Sequence, residues 1–362
     1  MKALVVDDSA LMRRQIGDIL TRGGFDVASA RTGAEAIERL PIEKPDVVTL
    51  DINMPEMDGL TCLSRIMTEH PTPVVMISSL TEDGALATLE AIALGAVDFM
   101  QKPGGTVSAN LRSCEEIILE KVTAAARARP RRTANLRQRL LARRETILGQ
   151  PLRRRQPSTS VEALTLVGAS TGGPAVLEEL LSCLSADYPM PVLVCQHMPS
   201  SVTRHFAERL NRICPMPVVE LRKQTELEAG TIYVARGDAD MIVMIRNDKL
   251  VATIVPPSRN YSWHPSVNRL VESAMKCVTA DSLIGVLMTG MGDDGAAEMT
   301  ALRKAGGYTM AESEESCVVY GMPRALIEAG GACDVLDASD MAAKLERVAF
   351  TRSRIDDKIR SN

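Results

Sequence analysis

Aromatic residues make up only 3% of this 362-residue chain: one tryptophan, five tyrosines and four phenylalanines. That is too few for the stacked-ring platforms that grip single-stranded nucleic acid, so a nucleic-acid partner is not expected. Histidines number four, which makes an imidazole-built metal cluster hard to assemble. The eight cysteines (Cys62, Cys114, Cys183, Cys195, Cys214, Cys277, Cys317 and Cys333) include no C-x-x-C pair, which suits buried thiols in a reducing compartment better than a disulfide framework or a zinc site. No apolar run approaches the roughly 18 residues of a membrane-spanning helix. The opening Met1-Lys2-Ala3 leads straight into a predicted strand and an acidic turn, without the apolar stretch and small-residue cleavage site of a signal peptide. These absences together predict a cytoplasmic protein that does not cross a bilayer.

What is present is enough chain for two domains and a connector, at roughly 150 residues per domain. The net charge of −4 conceals a division by position. Eleven arginines and one acid, Glu145, lie between Arg127 and Arg155, a local +10 that leaves −14 for the rest of the chain. Residues 1–126 alternate short β-branched runs with helical stretches, with strands predicted at 3–6, 26–29, 46–50, 73–77 and 97–100. Residues 127–160 form a basic linker broken by Pro130, Pro151 and Pro157, with a possible amphipathic helix carried by Leu136, Leu140 and Ile147. A second alternating unit spans 161–349, with strands predicted at 163–168, 191–196, 231–235, 241–245, 250–254 and 283–289, and a polar tail follows at 350–362. Strands alternating with helices of this length predict α/β units built on parallel sheets. Ligands of such sheets bind at the carboxyl ends of the strands.

At the ends of the first set of strands stand Asp7 and Asp8, then Asp51, then Ser78 and Ser79, then Lys102-Pro103. Three clustered carboxylates repel unless a divalent cation holds them, and oxygen-only ligands suit Mg²⁺. Lysine and hydroxyl groups beside such a cation could steady the oxygens of a phosphoryl group. The plainer alternative is that Asp7-Asp8 cap the helix opening at Ser9.

In the second unit, Gly168-Ala169-Ser170-Thr171-Gly172-Gly173-Pro174 follows an apolar strand and precedes a helical pattern. Small residues around Ser170 permit a tight turn that exposes its hydroxyl near a helix amino terminus, where developing negative charge is favoured. A dinucleotide loop would want a glycine where Ser170 stands and an acid after the next strand, which instead ends in Gln196-His197. A hydrolase elbow matches G-x-S-x-G, but that fold orders its triad serine, acid, histidine. A purely structural turn accounts for the glycines but not for the partners downstream. Those partners are His197, closing the strand at 191–196, and Asp293-Asp294, following the strand at 283–289. If these strands run parallel, a Ser-His-Asp relay can assemble on one face. The two adjacent aspartates cannot both face His197, and their spacing does not rank them. The other histidines, His70, His205 and His264, have no such placement.

Two resemblances follow from these motifs. V-D-D-S, L-D-I-N-M-P-E-M-D-G, M-I-S-S and Q-K-P resemble a response-regulator receiver domain over residues 1–126. That resemblance implies a flavodoxin-like doubly wound sheet, Asp51 as phosphoacceptor, Asp7, Asp8 and Asp51 with the Asn53 backbone carbonyl as Mg²⁺ ligands, Ser78 as switch hydroxyl and Lys102 as phosphate partner. G-A-S-T-G-G, V-C-Q-H-M-P, F-A-E-R-L-N, V-L-M-T-G-M-G-D-D-G-A and S-C-V-V-Y-G-M-P resemble the catalytic domain of the CheB protein-glutamate methylesterases of chemotaxis. That resemblance implies a triad of Ser170, His197 and Asp294, with Thr171 lining the site and the Met291 amide as oxyanion donor. It further implies hydrolysis of glutamyl methyl esters and deamidation of glutamines on methyl-accepting chemoreceptors, with a chemotaxis histidine kinase as phosphodonor and no cofactor for the esterase step. Recruitment to membrane receptor arrays is the expected setting, with the basic linker a candidate for docking on acidic receptor helices or anionic lipid. The chain departs from the pattern at Trp263-His264-Pro265-Ser266-Val267-Asn268, where an R-P-S-V-D type of stretch is expected and Asn268 replaces a carboxylate. A non-catalytic receptor-docking protein and a DNA-binding regulator are the competing classes.

Overall fold

The computed structural model describes residues 1–78, 82–102, 111–128 and 161–360. Ser79, Pro103 and nearly all of the basic linker, including Leu136, Leu140 and Ile147, lie outside the described residues. The chain divides into two compact units, 1–133 and 134–362, and each is taken by itself.

In the first unit the apolar runs form β1 (Lys2–Val6), β2 (Asp26–Ala30), β3 (Val47–Asp51), β4 (Val74–Ser78) and β5 (Asp98–Gln101). They pair in parallel in the order β2-β1-β3-β4-β5. Such a sheet is covered on both faces by its crossover helices, and the runs in β1, β3 and β4 are buried along nearly their whole length. The covering helices are α1 (Ala10–Arg22), α2 (Gly33–Glu43), α3 (Gly59–Glu69), α4 (Glu82–Leu94) and α5 (Leu111–Ala126). Ser9, not the preceding aspartates, caps α1: its side chain accepts a hydrogen bond from the Met12 amide. The order reverses between β1 and β3, and a crevice forms where chain connections diverge. Asp7, Asp8 and Asp51 lie at that point.

The second unit is built on seven parallel strands in the order β15-β14-β13-β6-β7-β10-β8. The central members are β6 (Leu164–Ala169), flanked by β7 (Val192–Gln196) and β13 (Leu283–Leu287). Outside them lie β8 (Val218–Leu221), β10 (Ile232–Ala235), β14 (Tyr308–Glu312) and β15 (Asp334–Leu336). Its helices are α6 (Gly173–Ser182), α7 (Ser200–Ile213), α8 (Val267–Met275), α9 (Ala296–Lys304), α10 (Met322–Glu328) and α11 (Ala338–Arg360). The last of these continues through most of the segment expected as a polar tail. Leu164, Leu166, Leu193, Val267, Leu270 and Leu287 belong to one buried cluster, which fastens α8 to the sheet.

Two strand candidates do not join the main sheet. β11 (Asp240–Arg246) and β12 (Lys249–Val255) form an antiparallel hairpin, extended by β9 (Thr225–Glu226). Their connection is Asn247-Asp248, both with positive φ (49° and 60°), the two-residue turn that antiparallel strands use. The predominantly parallel α/β character holds in both units.

Candidate functional site

At the receiver-like strand ends, Asp7 and Asp51 are fully buried and Asp8 is exposed. One oxygen from each of the three lies within 4.8 Å of the others. Lys102 Nζ donates to Asp51 Oδ2 at 2.7 Å and stands 3.2 Å from Asp7 Oδ2, an ion-pair distance without hydrogen-bond alignment. The Ser9 amide donates to Asp7 Oδ1 at 2.8 Å and the Asn53 amide to Asp51 Oδ1 at 3.3 Å. Burial pushes the Asp51 carboxyl up; Lys102 opposes this, and the charge of Asp7 adds to it, leaving it above its ordinary value. Burial works against the charge on Lys102, but the two aspartates outweigh it and hold its pKa high. A buried carboxylate oxygen on Asp7 without a hydrogen bond, beside two further carboxylates, fits a hard divalent cation taking oxygen ligands. The Ser78 hydroxyl reaches the Gly84 carbonyl in the first turn of α4, at 3.5 Å.

The second constellation assembles from three neighbouring strand ends. Ala169 pairs with Gln196 across β6 and β7, and the His197 amide donates to the Ala169 carbonyl at 3.1 Å, so His197 and Ser170 leave adjacent strands side by side. On the other flank, the Ser170 amide donates to the Thr289 carbonyl at 2.9 Å. The Ser170 carbonyl accepts from the Gly173 amide at 2.8 Å and from Gln196 Nε2 at 2.9 Å, which sets the tight turn into α6. A side chain on Gly290 would come within 2.7 Å of Ser170 Cβ and 2.4 Å of Met322 Sδ, so only glycine lets the loop after β13 pass this close to the serine.

That loop is held from several sides. The Gly290 amide donates to the Val319 carbonyl, and the Gly290 carbonyl accepts from the Gly321 and Met322 amides. The Thr289 hydroxyl donates to the Thr171 carbonyl at 3.0 Å, and the Thr289 amide donates to buried Glu312 at 2.8 Å. Thr171 is thereby buried against the loop that carries Met291.

The structure ranks the two aspartates. Asp293 is exposed, whereas Asp294 is 1% exposed, and its Oδ2 lies 2.9 Å from His197 Nε2. Asp294 also accepts from the Ser266 hydroxyl (3.0 Å), the Val267 amide (2.7 Å) and the Asn268 amide (3.0 Å). Ser266 is the N-cap of α8, so a helix amino terminus grips this carboxylate as it would any anion. Burial alone would raise Asp294; the hydrogen bond and charge of His197, with the two amides, outweigh it and hold the carboxyl below its ordinary value. The pairing assigns the ring proton of His197 to Nε2, and buried Nδ1 has no hydrogen-bond partner. Ser170 and His197 are thus neighbours without a hydrogen bond between them, and such contacts in ligand-free sites tighten on substrate binding.

A carboxyl whose folded pKa is depressed contributes stability fully above its unfolded pKa, here an ordinary value of 3.8, and loses it as pH falls through the lower folded value. Chemical denaturation of wild type and Asp294→Asn should therefore show a stability gap that is widest above about pH 5 and narrows below about pH 3. A gap constant across that range would contradict the anionic assignment.

Ser266 and the amides of Val267 and Asn268 were not among the residues expected at the site, although Ser266 before an apolar helical pattern is a legible N-cap. Nor were Glu312 and Trp263, whose indole lies parallel to the His197 ring. At the departure, the Asn268 side chain accepts from the Glu298 amide at 3.2 Å, in the first turn of α9. A neutral amide there avoids a second carboxylate beside Asp294.

Comparison with known proteins matches residues 165–345 to the family model described as CheB methylesterase and residues 3–109 to that of the response regulator receiver domain. A protein-glutamate methylesterase/protein-glutamine glutaminase of Rhodospirillum rubrum is 53% identical over 353 residues, covering 95% of each chain. One from Vibrio cholerae is 47% identical over 334 residues, covering 91% of each. The crystal structure of the Thermotoga maritima CheB methylesterase catalytic domain matches with a TM-score of 0.50 at 32% identity, covering 52% of this chain and 98% of that one. Among the described residues, no helix is long and apolar enough to cross a membrane.

Proposed function

This chain belongs to the CheB protein-glutamate methylesterase/protein-glutamine glutaminase family, and we propose that its hydrolysis runs through Ser170, His197 and Asp294 under control of Asp51. Ser170 Oγ attacks the side-chain carbonyl carbon of a receptor glutamyl methyl ester while His197 Nδ1 takes the hydroxyl proton. The Met291 amide donates to the oxyanion that forms, and losing one such donor typically costs about 2.7–4 kcal/mol of transition-state stabilisation. The C–O bond to methanol then breaks, with the proton returned from Nδ1 to the leaving oxygen. A water deprotonated by the same nitrogen hydrolyses the acyl-serine and leaves glutamate. Glutamine follows the same course with ammonia as leaving group. Asp294 stays ionised throughout, fixing the tautomer and stabilising the imidazolium.

The observation that carries this reading is the four-donor grip on Asp294, which leaves His197 anchored through Nε2 with Nδ1 bare beside the serine's strand end. A serine-reactive phosphonate should label the full-length protein once, at Ser170, mapped by peptide mass spectrometry. Labelling elsewhere, or none, would overturn the assignment.

In the receiver, Asp51 accepts a phosphoryl group from a histidine kinase. Asp7, Asp8, Asp51 and the Asn53 carbonyl would hold Mg²⁺, which when bound shields the carboxylate's charge from the incoming phosphoryl oxygens. Lys102 and Ser78 take up those oxygens once Asp51 is modified. The added charge of about −1.5 to −2 draws the Ser78 hydroxyl off the Gly84 carbonyl, so the start of α4 is where the change is first felt. The unphosphorylated receiver restrains the esterase, and each tenfold of activation requires about 1.4 kcal/mol of differential stability between arrangements. The functional divisions are 1–126 for the receiver, 127–160 for the linker and 161–349 for the esterase. Methyl-accepting chemoreceptors are the substrates, met from the cytoplasmic side.

A further inference from the structure

We propose that Trp263 is a positioning residue of the ester-cleaving reaction, its indole fixing the ring plane of His197 and tying that ring to the oxyanion loop. The inference rests on the reading of His197 as general base. The carboxylate of Asp294 pins one nitrogen of His197 but leaves the ring free to rotate about the line of that hydrogen bond. A planar group packed parallel to the ring limits the remaining freedom. Trp263 supplies it: the indole and imidazole planes are parallel, at 0°, with centroids 5.9 Å apart.

The indole also rests on the loop that carries Met291. A Cβ on Gly292 would fall 2.6 Å from Trp263 Cζ2 and 2.8 Å from Cη2, and Gly292 has a φ of +78° that other residues rarely adopt. One ring thus touches both the general base and the residue after the oxyanion donor. Its own segment is anchored at the base of the hairpin. Buried Asp240 pairs with His264 Nδ1 at 2.9 Å and accepts from the Ser266 amide at 2.9 Å and from Arg269 Nη1 at 2.6 Å. Arg269 also donates to the Pro256 carbonyl at 2.8 Å, and the Tyr261 hydroxyl donates to Glu272. The loop is therefore clamped on both sides of the tryptophan.

The stack has a second consequence for rate. His197 becomes cationic as it takes the serine's proton, and the parallel, offset indole with its centroid 5.9 Å away offers that cation a weak attraction through its π system. This attraction grows on the way to the transition state, so it lowers the barrier without strengthening substrate binding.

The test measures two rates in full-length protein: phosphonylation of Ser170 by a small serine-reactive phosphonate, and kcat and KM for methanol release from methylated receptors. Trp263→Leu and Trp263→Met are both made, each checked by its unfolding midpoint, so that one folded non-aromatic variant suffices. Either should slow phosphonylation and lower kcat by about tenfold, with KM within about twofold of wild type, and Trp263→Phe should recover most of the loss. An unchanged phosphonylation rate with a raised KM would make the indole a receptor contact and overturn the proposal. Equal losses in the leucine and phenylalanine variants would also overturn it, because packing alone would then explain them. His197→Gln is measured alongside. If it phosphonylates normally, the general-base reading itself fails; if it is inert while Trp263→Leu is normal, only the role of the indole fails.

Discussion

Ser170→Ala is expected to cut methanol release from methylated receptors by about 10⁶, the scale seen when the nucleophile of a serine triad is removed. In the proposed mechanism the loss is this large because His197 and Asp294 act only through the serine: without Oγ there is nothing for Nδ1 to deprotonate and no acyl-enzyme. What would remain in that mechanism is water attack aided by the Met291 amide. Incorporation of phosphoryl groups at Asp51 should be unaffected, since that carboxylate belongs to a separate compact unit. Single-turnover methanol release, with phosphoryl incorporation measured in parallel, checks both statements. A residual rate within tenfold of wild type would remove Ser170 from the mechanism.

Asp294→Asn is expected to lower kcat by about 10⁴. The amide nitrogen of asparagine can present a donor to His197 Nε2, which would move the ring proton to Nδ1 and leave no lone pair facing Ser170. The same substitution sets a donor group among the Ser266 hydroxyl and the amides of Val267 and Asn268, all of which now donate to the carboxylate. A mismatched buried donor costs about 1–3 kcal/mol, so the variant should also be less stable at neutral pH. Asp293→Asn, at an exposed position, should leave both activity and stability close to wild type. If the two substitutions had equal effects, the geometric ranking of the pair would be wrong.

Much of this architecture is written locally. A parallel strand buried on both faces reads as an apolar run that stops abruptly, and the residues just beyond the stop (Asp7, Asp51, Ser170 and His197) are the ones the sheet delivers to its carboxyl edge. The hairpin of β11 and β12 was not among the expectations, although the Asn247-Asp248 pair carried its signal: so short a connection can join only antiparallel neighbours. β14 and β15 were harder, because Tyr308–Glu312 mixes polar with apolar residues and Asp334–Leu336 is a three-residue edge strand. The choice of Asp294 over Asp293 depends on α8 arriving from elsewhere in the chain to point two amides and a hydroxyl at one carboxylate. Trp263 meets His197 by the same kind of tertiary approach. No periodicity or spacing encodes a contact between segments so far apart in sequence. Without the structure, the W-H-P-S-V-N stretch reads only as a departure from pattern, whereas the contacts of Asp240 show it to be a segment clamped beside His197 and Asp294.

In the proposed function, phosphorylation of Asp51 governs ester hydrolysis at Ser170. This control is tested most directly by measuring methanol release from methylated receptors by the full-length protein, with and without a small acyl-phosphate donor and Mg²⁺, in wild type and in Asp51→Asn. The donor is expected to raise the wild-type rate by about tenfold or more, equivalent to about 1.4 kcal/mol, and to leave Asp51→Asn at its unstimulated rate. A donor response of the same size in both proteins, or none in wild type, would contradict it.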